Sequence, residues 1–591
     1  MASNQDTSQT GNAVVTINIK TICKNKESIT LIWFDENIGR NLDDVKKTKK
    51  MLREINSMVV FFDERDKCIE HILSIKDELI FLIVSGKSAR DILDAARSSR
   101  QIDSIFIFCA KIERHLTLRD EYKRIAGVFN KQEDLIRCIR RTLESVHEQL
   151  AAFSLFDKKQ NSTRDLTQNS ASFLWFQLFK NVVLVKMPPT AEAKEQMVRE
   201  CHNFYRGVDT ATRDVVDFAE NYKSKDAVEW YTRENFLYHI VNKALRTEDI
   251  EGLYMLRFYI ANLSSNIVAL HATQQLSQIT VYRGLKLTRA EIETYKPDSL
   301  ISTNGFLSTS RSKETAVEFA KKRSRTRTDV EPVLFEIEAN KNQSIFADIA
   351  NMSKYDKEKE VLFDLAATFK ITSNQFDATL GLWIICMTST NEGEKVVEEH
   401  KKLIEEELAQ TNVHIMFGQL LADMGEFEKS LKYFQTLLQK KDYSRKEEAN
   451  IYYNIGRAYC CQDNYLSAEE NYYRAYEMQM KAKPPRTRDA ARSLKGIGIV
   501  NKLKGNYDQA LQIYSQALKM CENSDIDRAR LINNMALVYV KEKKYNDAMK
   551  YHRNALEIYK AQLPSHHVYI ALCLNSMGDV YDKTKHPDEA L

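Results

Sequence analysis

The sequence predicts a multidomain protein that passes through three fold classes: a doubly wound α/β domain, an α+β domain and an all-α solenoid. Three observations predict it. Short, nearly continuous apolar runs alternate with amphipathic stretches as far as about residue 150. A helical pattern then gives way to strand-like runs between 161 and 389, and from 405 onward small residues recur at a long, fixed period. With 591 residues, 43% of them hydrophobic and 28% charged, the chain has an ordinary globular balance and more length than one core can use.

In residues 1–155 the apolar runs are 29–34, 58–62, 79–84, 105–108 and 125–129. They are short, β-branched and aromatic, as strands buried on both faces should be. Segments 43–55 and 88–97 read as crossover helices, so a parallel sheet akin to that of a flavodoxin or response regulator is expected. The function of this domain is less legible. The third run ends Val84-Ser85-Gly86-Lys87, with no Asp for a phosphate-accepting receiver. Asp35-Glu36-Asn37-Ile38-Gly39, after the first, is not the Gly-x-Gly-x-x-Gly of a dinucleotide site. Asp35 and Asp63 at strand ends are candidate metal ligands, but a degenerate regulatory or docking domain is the better reading.

The middle region, 161–389, begins with helical spacing over 191–216, 226–246 and 251–263, then turns to strands at 279–282, 333–339 and 361–365. Three chemical elements lie on or beside these strands. Arg283 closes the first strand with Gly284 behind it, Ser308 opens Ser308-Thr309-Ser310, and Glu358 and Glu360 flank Lys359. If Glu358 and Glu360 share a strand, they face the same side, whereas in a helix they diverge by about 200°. Each element has an ordinary structural alternative. Arg283 could be a surface arginine at a strand end, and Ser310 or Ser312 could cap the helix Lys313–Lys321. Two decoys also occur. Tyr205-Arg206-Gly207 repeats the first element inside a helical pattern, and Glu336-Ile337-Glu338 repeats the last inside an apolar strand. Context rejects both.

Taken in this order, with steps of 25 and 52 residues, these elements resemble the Arg–Ser–Glu-x-Glu signature of arginine-specific mono-ADP-ribosyltransferases. The run Ala227-Val228-Glu229-Trp230-Tyr231-Thr232, followed by Leu237-Tyr238, is similar to the helical subdomain that precedes the active sheet in that family. The resemblance implies NAD as co-substrate and an arginine-bearing protein as acceptor. It implies Arg283 and Gly284 for NAD, the first through its planar fork of donors, the second by letting the backbone approach the nicotinamide without a Cβ in the way. It implies that Ser308 braces the catalytic glutamate and touches the nicotinamide ribose, that Glu360 stabilises the oxocarbenium ion, and that Glu358 holds the acceptor and helps take its proton. Tyr355, in the loop before the pair, is placed where the family recognises its target. NAD glycohydrolase activity and a catalytically inactive scaffold are the alternatives. All four motif residues are present, which counts against the second.

In residues 405–591, Gly418, Gly456, Gly498, Ala536 and Gly578 stand 38, 42, 38 and 42 apart. An aromatic follows each of the first four (Phe427, Tyr465, Tyr507, Tyr545), with His586 one place early in the fifth. A small residue comes next: Ser430, Ala468, Ala510, Ala548 or Ala590. Small residues let paired helices approach, and the aromatics fill gaps between neighbouring turns. The pattern resembles tetratricopeptide repeats of kinesin-light-chain-like length, about 4.5 of them, which implies protein or peptide partners on a concave groove. The chain stops at Asp588-Glu589-Ala590-Leu591, early in a second helix, and so reads as truncated.

A net charge of +4 gives no general case for nucleic acid or an anionic membrane as partner. The basic run from Lys321 to Arg327 reads as a solvated loop, with nuclear import or polyanion binding as its alternatives. Residues 1–13 are polar and do not form a secretory signal, and 173–187 is broken by Gln177, Lys180, Asn181 and Lys186. The ten cysteines are scattered without a Cys-x-x-Cys, so neither structural zinc nor any other metal is expected. A reduced, cytoplasmic setting is the expectation.

Overall fold

The computed structural model describes residues 25–152, 163–165, 187–391 and 412–584, apart from short stretches within them, such as 322–329, 354–358, 522–524 and 564–567. The chain divides into two compact units, Met1–Lys402 and Leu403–Leu591.

The first unit opens with five strands: β1 (Ile29–Phe34), β2 (Val59–Phe62), β3 (Leu79–Ser85), β4 (Ile102–Phe108) and β5 (Ile125–Phe129). All pair in parallel, in the order β2-β1-β3-β4-β5. This is the doubly wound order expected. Alternate residues go to opposite faces. Ile32, Phe34, Leu82 and Val84 pack against Cys68, Ile72 and Ile92, from helices Arg65–Ser74 and Ala89–Ala95. Leu31, Trp33, Phe81 and Ile83 pack against Leu52, Leu135 and Ile139, from helices Asp43–Ile55 and Gln132–Ala152. With both faces covered, the strands read as continuous apolar runs. β4 starts three residues earlier than its apolar run because Asp103 and Ser104 are buried there, the Ser104 hydroxyl donating to the Asp103 carboxylate at 2.7 Å.

The next helices are Ala191–Phe204, Asp209–Asn221, Ala227–Thr232, Phe236–Arg246 and Ile250–Thr273. The single helices expected over 191–216 and 226–246 are each two. The first breaks where Tyr205 turns inward, fully buried, and its hydroxyl donates to Glu27 at 2.7 Å. The second restarts at Asn235, whose side chain accepts from the Leu237 N–H as an N-cap. Helix Phe236–Arg246 is gripped by the α/β domain. Lys243, only 4% exposed, donates to the carbonyls of Asn25 and Glu27 at 2.7 Å each and to the Glu78 carboxylate at 3.0 Å. Arg246 donates to the Ser28 hydroxyl at 2.6 Å, and burial pulls its guanidinium pKa down to about 10.

Nine further strands lie among the described residues of this unit: β6 (Thr163–Asp165), β7 (Gln278–Thr288), β8 (Leu300–Thr303), β9 (Leu307–Ser310), β10 (Val330–Asn340), β11 (Phe346–Asp348), β12 (Glu360–Phe363), β13 (Thr368–Asp377) and β14 (Leu382–Ser389). Their order is β11-β12-β9-β7-β10-β14-β13-β8-β6. Between β7 and β9 the ladder narrows to one pair, Tyr282↔Ser310. On either side the sheet folds back on itself. Phe363 of β12 lies 5.4 Å, ring to ring, from Phe369 of β13, although these strands are second and seventh in the order. One core cluster therefore draws on both halves, with Leu307, Val361 and Phe363 from one and Val281, Leu285 and Phe335 from the other.

The second unit is a series of helix pairs: Val413–Asp423 with Phe427–Lys440, Arg445–Cys461 with Tyr465–Met480, Thr487–Leu503 with Tyr507–Met520, and Asp525–Lys541 with Tyr545–Gln562, followed by Val568–Lys583. The residues opposite Gly418, Gly456 and Gly498 are Phe434, Tyr472 and Tyr514. The aromatic that meets each glycine is thus seven places beyond the one singled out from the sequence, two helical turns on and hence on the same face. Between first and second helices, Gly425, Asp463, Gly505 and Lys543 all take positive φ, at 80°, 58°, 84° and 61°. The turn demands the left-handed region whichever residue supplies it. Only two repeats use glycine. Among the described residues no helix is long and apolar enough to cross a membrane. His586 and Ala590, the last repeat markers, lie outside the described residues.

The grip on Lys243 yields a prediction. Glu78→Ala removes the carboxylate from a buried ammonium and should destabilise the first unit by about 3 kcal/mol. Chemical denaturation monitored by tryptophan fluorescence measures this, and an unchanged midpoint would contradict it.

Candidate active site

The fold brings Arg283, Ser308 and Glu360 together on three neighbouring strands, β7, β9 and β12. Ser308 faces Leu362 across the β9–β12 ladder and Ser310 faces Glu360, so Ser308 and Glu360 share a face two residues apart. The Ser308 hydroxyl donates to Glu360 Oε1 at 2.6 Å. Its carbonyl accepts from Nη1 of Arg283. Arg283 and Glu360 are each 9% exposed, while Ser308 is half-buried.

Arg283 does not close its strand. β7 runs on to Thr288 because Leu285 and Leu287 are core residues and the β10 ladder continues past them. The arginine therefore starts from a rigid mid-strand position rather than a surface end. Burial pulls its guanidinium pKa below the ordinary value, opposed by Tyr238, Tyr231 and Glu360. Gly284 also has a reason in packing. A Cβ there would overlap the carbonyl oxygen of Ala316 and stand 2.7 Å from the N–H nitrogen of Ala320, both in helix Lys313–Lys321. The missing side chain is thus required by close strand–helix packing.

The serine cluster divides its work. Thr309 donates to the Val361 carbonyl at 2.8 Å and locks β9 to β12. Ser310 accepts from the Ser312 N–H at 2.9 Å, and Ser312 caps the helix by accepting from the Thr315 N–H at 3.2 Å. Of the two cap candidates, the cap is Ser312.

Glu360 is the first residue of its strand. Lys359 before it has φ 46°, in the left-handed region, at a backbone cost of about 1 kcal/mol. Its carbonyl accepts from the Arg311 N–H at 3.1 Å, and the Glu360 carbonyl accepts from the Ile349 N–H at 2.9 Å. The backbone is thus not extended at Lys359, and strand alternation begins at Glu360. Glu358 and Tyr355 lie outside the described residues. The decoys are elsewhere. Arg206 is exposed at a helix end, and Glu336 lies opposite Tyr282 on β10, paired with Lys313 at 3.0 Å. Among the described residues no group of three or more His, Cys, Asp or Glu could hold a metal ion.

Residues not singled out from sequence cover the site. Tyr231 is buried, its hydroxyl donates to Asn242 Oδ1 at 2.9 Å, and its ring lies 5.2 Å from that of Tyr238 and 5.7 Å from that of Phe306. Burial, with Glu360 adding to it, raises its pKa well above the usual tyrosine value. The available signal was Tyr238 and Asn242, two polar side chains four apart on helix Phe236–Arg246.

Residues 194–411 match the family model for the ADP-ribosyltransferase exoenzyme, and residues 447–523 and 527–591 match the tetratricopeptide repeat. The chain thus carries an ADP-ribosyltransferase exoenzyme domain followed by tetratricopeptide repeats. Photosystem I assembly protein Ycf3 of Synechococcus sp. (strain CC9605) is 37% identical over 86 residues, 15% of this chain and 44% of that protein. Its counterpart from Prochlorococcus marinus is 35% identical over the same shares, so the chain spans less than half the length of these relatives. Among solved structures, the ADP-ribosyltransferase Vis in complex with M6 inhibitor is 24% identical, covering 36% of this chain and 90% of Vis, with a TM-score of 0.24. BtubC (BKLC) from P. vanneervenii is 18% identical, covering 33% of this chain and 83% of that one, with a TM-score of 0.27.

Gly284→Ala should force helix Lys313–Lys321 off the sheet and destabilise the first unit by about 2 kcal/mol or more, because backbone atoms must move. Thermal unfolding checks this. A melting temperature equal to wild type would show that the packing is looser than described.

Proposed function

We propose that this domain transfers ADP-ribose from NAD to arginine side chains of target proteins, releasing nicotinamide, and that the repeats recruit those proteins. One observation carries the reading: the Ser308 hydroxyl on Glu360, with Arg283 bound to the same serine. The residues suit the substrate. Arg283 is a planar fork of donors for the doubly charged pyrophosphate, and most of its desolvation precedes the anion's arrival. Gly284 contributes backbone beside the nicotinamide end. Ser308 fixes one Glu360 oxygen and leaves the carboxylate aimed at the ribose.

In the reaction the bond between nicotinamide nitrogen and the ribose anomeric carbon breaks, and its electron pair leaves with nicotinamide. Positive charge then spreads over the ribose as an oxocarbenium ion. The fixed Glu360 carboxylate, near the 2′-hydroxyl, stabilises that charge more than it stabilises ground-state NAD. A guanidinium nitrogen of the acceptor attacks from the opposite face, inverting the centre, and its proton passes to Glu358. Glu358 also supports arginine as acceptor, because a carboxylate and a guanidinium pair in a bidentate geometry. Tyr355 contributes to the acceptor surface. Tyr231 and Tyr238 form an apolar, water-excluding wall beside Arg283, which strengthens each electrostatic contact.

With labelled NAD and a protein lysate, Glu360→Ala should lower transfer by about 10²–10³-fold. Ser308→Ala should lower it by about tenfold, as loss of one hydrogen bond to a charged group. Glu358→Ala should reduce protein-bound label more than free ADP-ribose. Full transfer by Glu360→Ala would defeat the site assignment, and label on residues other than arginine would defeat the acceptor.

A further inference from the structure

The segment between β11 and β12, residues 349–359, is tied at both ends by one residue, Arg311, which follows β9. The Arg311 N–H donates to the Lys359 carbonyl at 3.1 Å. Its guanidinium Nη2 lies 3.0 Å from Oδ2 of Asp348, the last residue of β11. Asp348 is a fixed point. The Gln274 side chain, just past helix Ile250–Thr273, accepts from the Asp348 N–H at 2.8 Å and donates to the Asp348 carbonyl at 2.7 Å. The other carboxylate oxygen, Oδ1, accepts from the Ala350 N–H at 3.1 Å. One carboxylate thus holds both the start of the segment and the guanidinium that reaches across from its end.

The far end is where such a tie matters. Lys359 is exposed, and its φ of 46° is one that an unconstrained lysine avoids. That angle sets the direction from which the chain enters Glu360. Glu360 itself does not need the tie. Ser308 holds its carboxylate, the Ile349 N–H holds its carbonyl, and its strand pairs with β9. Two tasks of the proposed reaction are therefore separable. Cleaving NAD calls on Arg283, Ser308 and Glu360, whereas receiving an acceptor calls on the residues just before Glu360.

We propose that Arg311 is a positioning residue for the acceptor: by bracing Lys359 against Asp348, it favours transfer to a guanidine over transfer to water. This rests on reading the domain as an arginine-directed transferase, and deepens it by naming a residue that sets the choice of acceptor. Without the guanidinium, the Arg311 N–H still reaches Lys359 but is no longer fixed relative to Asp348. The pair serves position more than stability. The Arg311 side chain is 41% exposed and that of Asp348 18%, so the pair contributes little to folding and is open to screening by salt.

The test follows, by chromatography, the ADP-ribosyl-agmatine and free ADP-ribose that the full chain forms from NAD, with agmatine as a free guanidine. Arg311→Met, with folding checked by circular dichroism, should lower transfer to agmatine about fivefold, the upper range for a partly exposed ion pair. Hydrolysis without agmatine should stay within about twofold of wild type, with the KM for NAD unchanged. Arg311→Lys should recover part of the transfer. Asp348→Asn should match Arg311→Met, and the double variant should lose no more than either alone. At about 1 M salt, where charges are screened beyond about 3 Å, the gap between wild type and Arg311→Met should close. Equal losses of both products, or a wild-type partition in Arg311→Met, would overturn the proposal and leave the transferase reading standing. A raised KM for NAD would place Arg311 on the dinucleotide instead and overturn it too. If the wild-type chain hydrolyses NAD but never labels agmatine, the arginine reading fails and the proposal with it.

Discussion

The candidate site depends on Ser308 being bonded in two directions at once. Its carbonyl holds a buried guanidinium from β7, and its hydroxyl holds a buried carboxylate from β12. Strand pairing alone would not fix this arrangement, because β7 and β9 meet through a single pair. At that junction the sheet folds over and the side chains of the two halves converge. Two opposite charges, each almost out of water, are costly to hold apart and strongly attracted when aligned. Serine is small enough to stand between them and offers one acceptor and one donor. Burying such groups without these bonds would destabilise the domain.

Around this tie the packing is equally constrained. Gly284 gives up its side chain so that a helix can lie directly on β7, and the helix is started by Ser312 two residues after the end of β9. On the other side, helix Phe236–Arg246 serves two neighbours. Lys243 and Arg246 are held by the α/β domain, whereas Tyr238 and Asn242 surround Tyr231 beside Arg283. The wall of the site is thus one helix away from the α/β domain.

Much of this was legible in the chain. The apolar runs of the α/β domain gave its strands because burial on both faces leaves no polar interruption, except at Asp103 and Ser104, where a local hydrogen bond hides a polar pair in the core. The steps from Arg283 to Ser308 to Glu360 identified three residues that do meet. Other features were not legible. Tyr231 and Asn242 looked like core spacing, since apolar periodicity cannot tell a helix face that covers a sheet from one that covers a site. The period of the repeats was clear, but which aromatic meets Gly418, Gly456 and Gly498 was not, because spacing alone does not say which of two same-face positions touches the neighbour.

By itself the sequence determined the three fold classes and the repeat period, which follow from local periodicity, while Arg283, Ser308 and Glu360 were singled out by resemblance to a family signature. Only the tertiary structure decided the rest. It put Arg283 in mid-strand, required glycine at 284 for helix contact, and turned the backbone at Lys359 so that strand alternation stops at Glu360. These are matters of what approaches from a distant part of the chain. Such approach is set by how the sheet folds over and how helices stack, and neither leaves a local mark in the sequence.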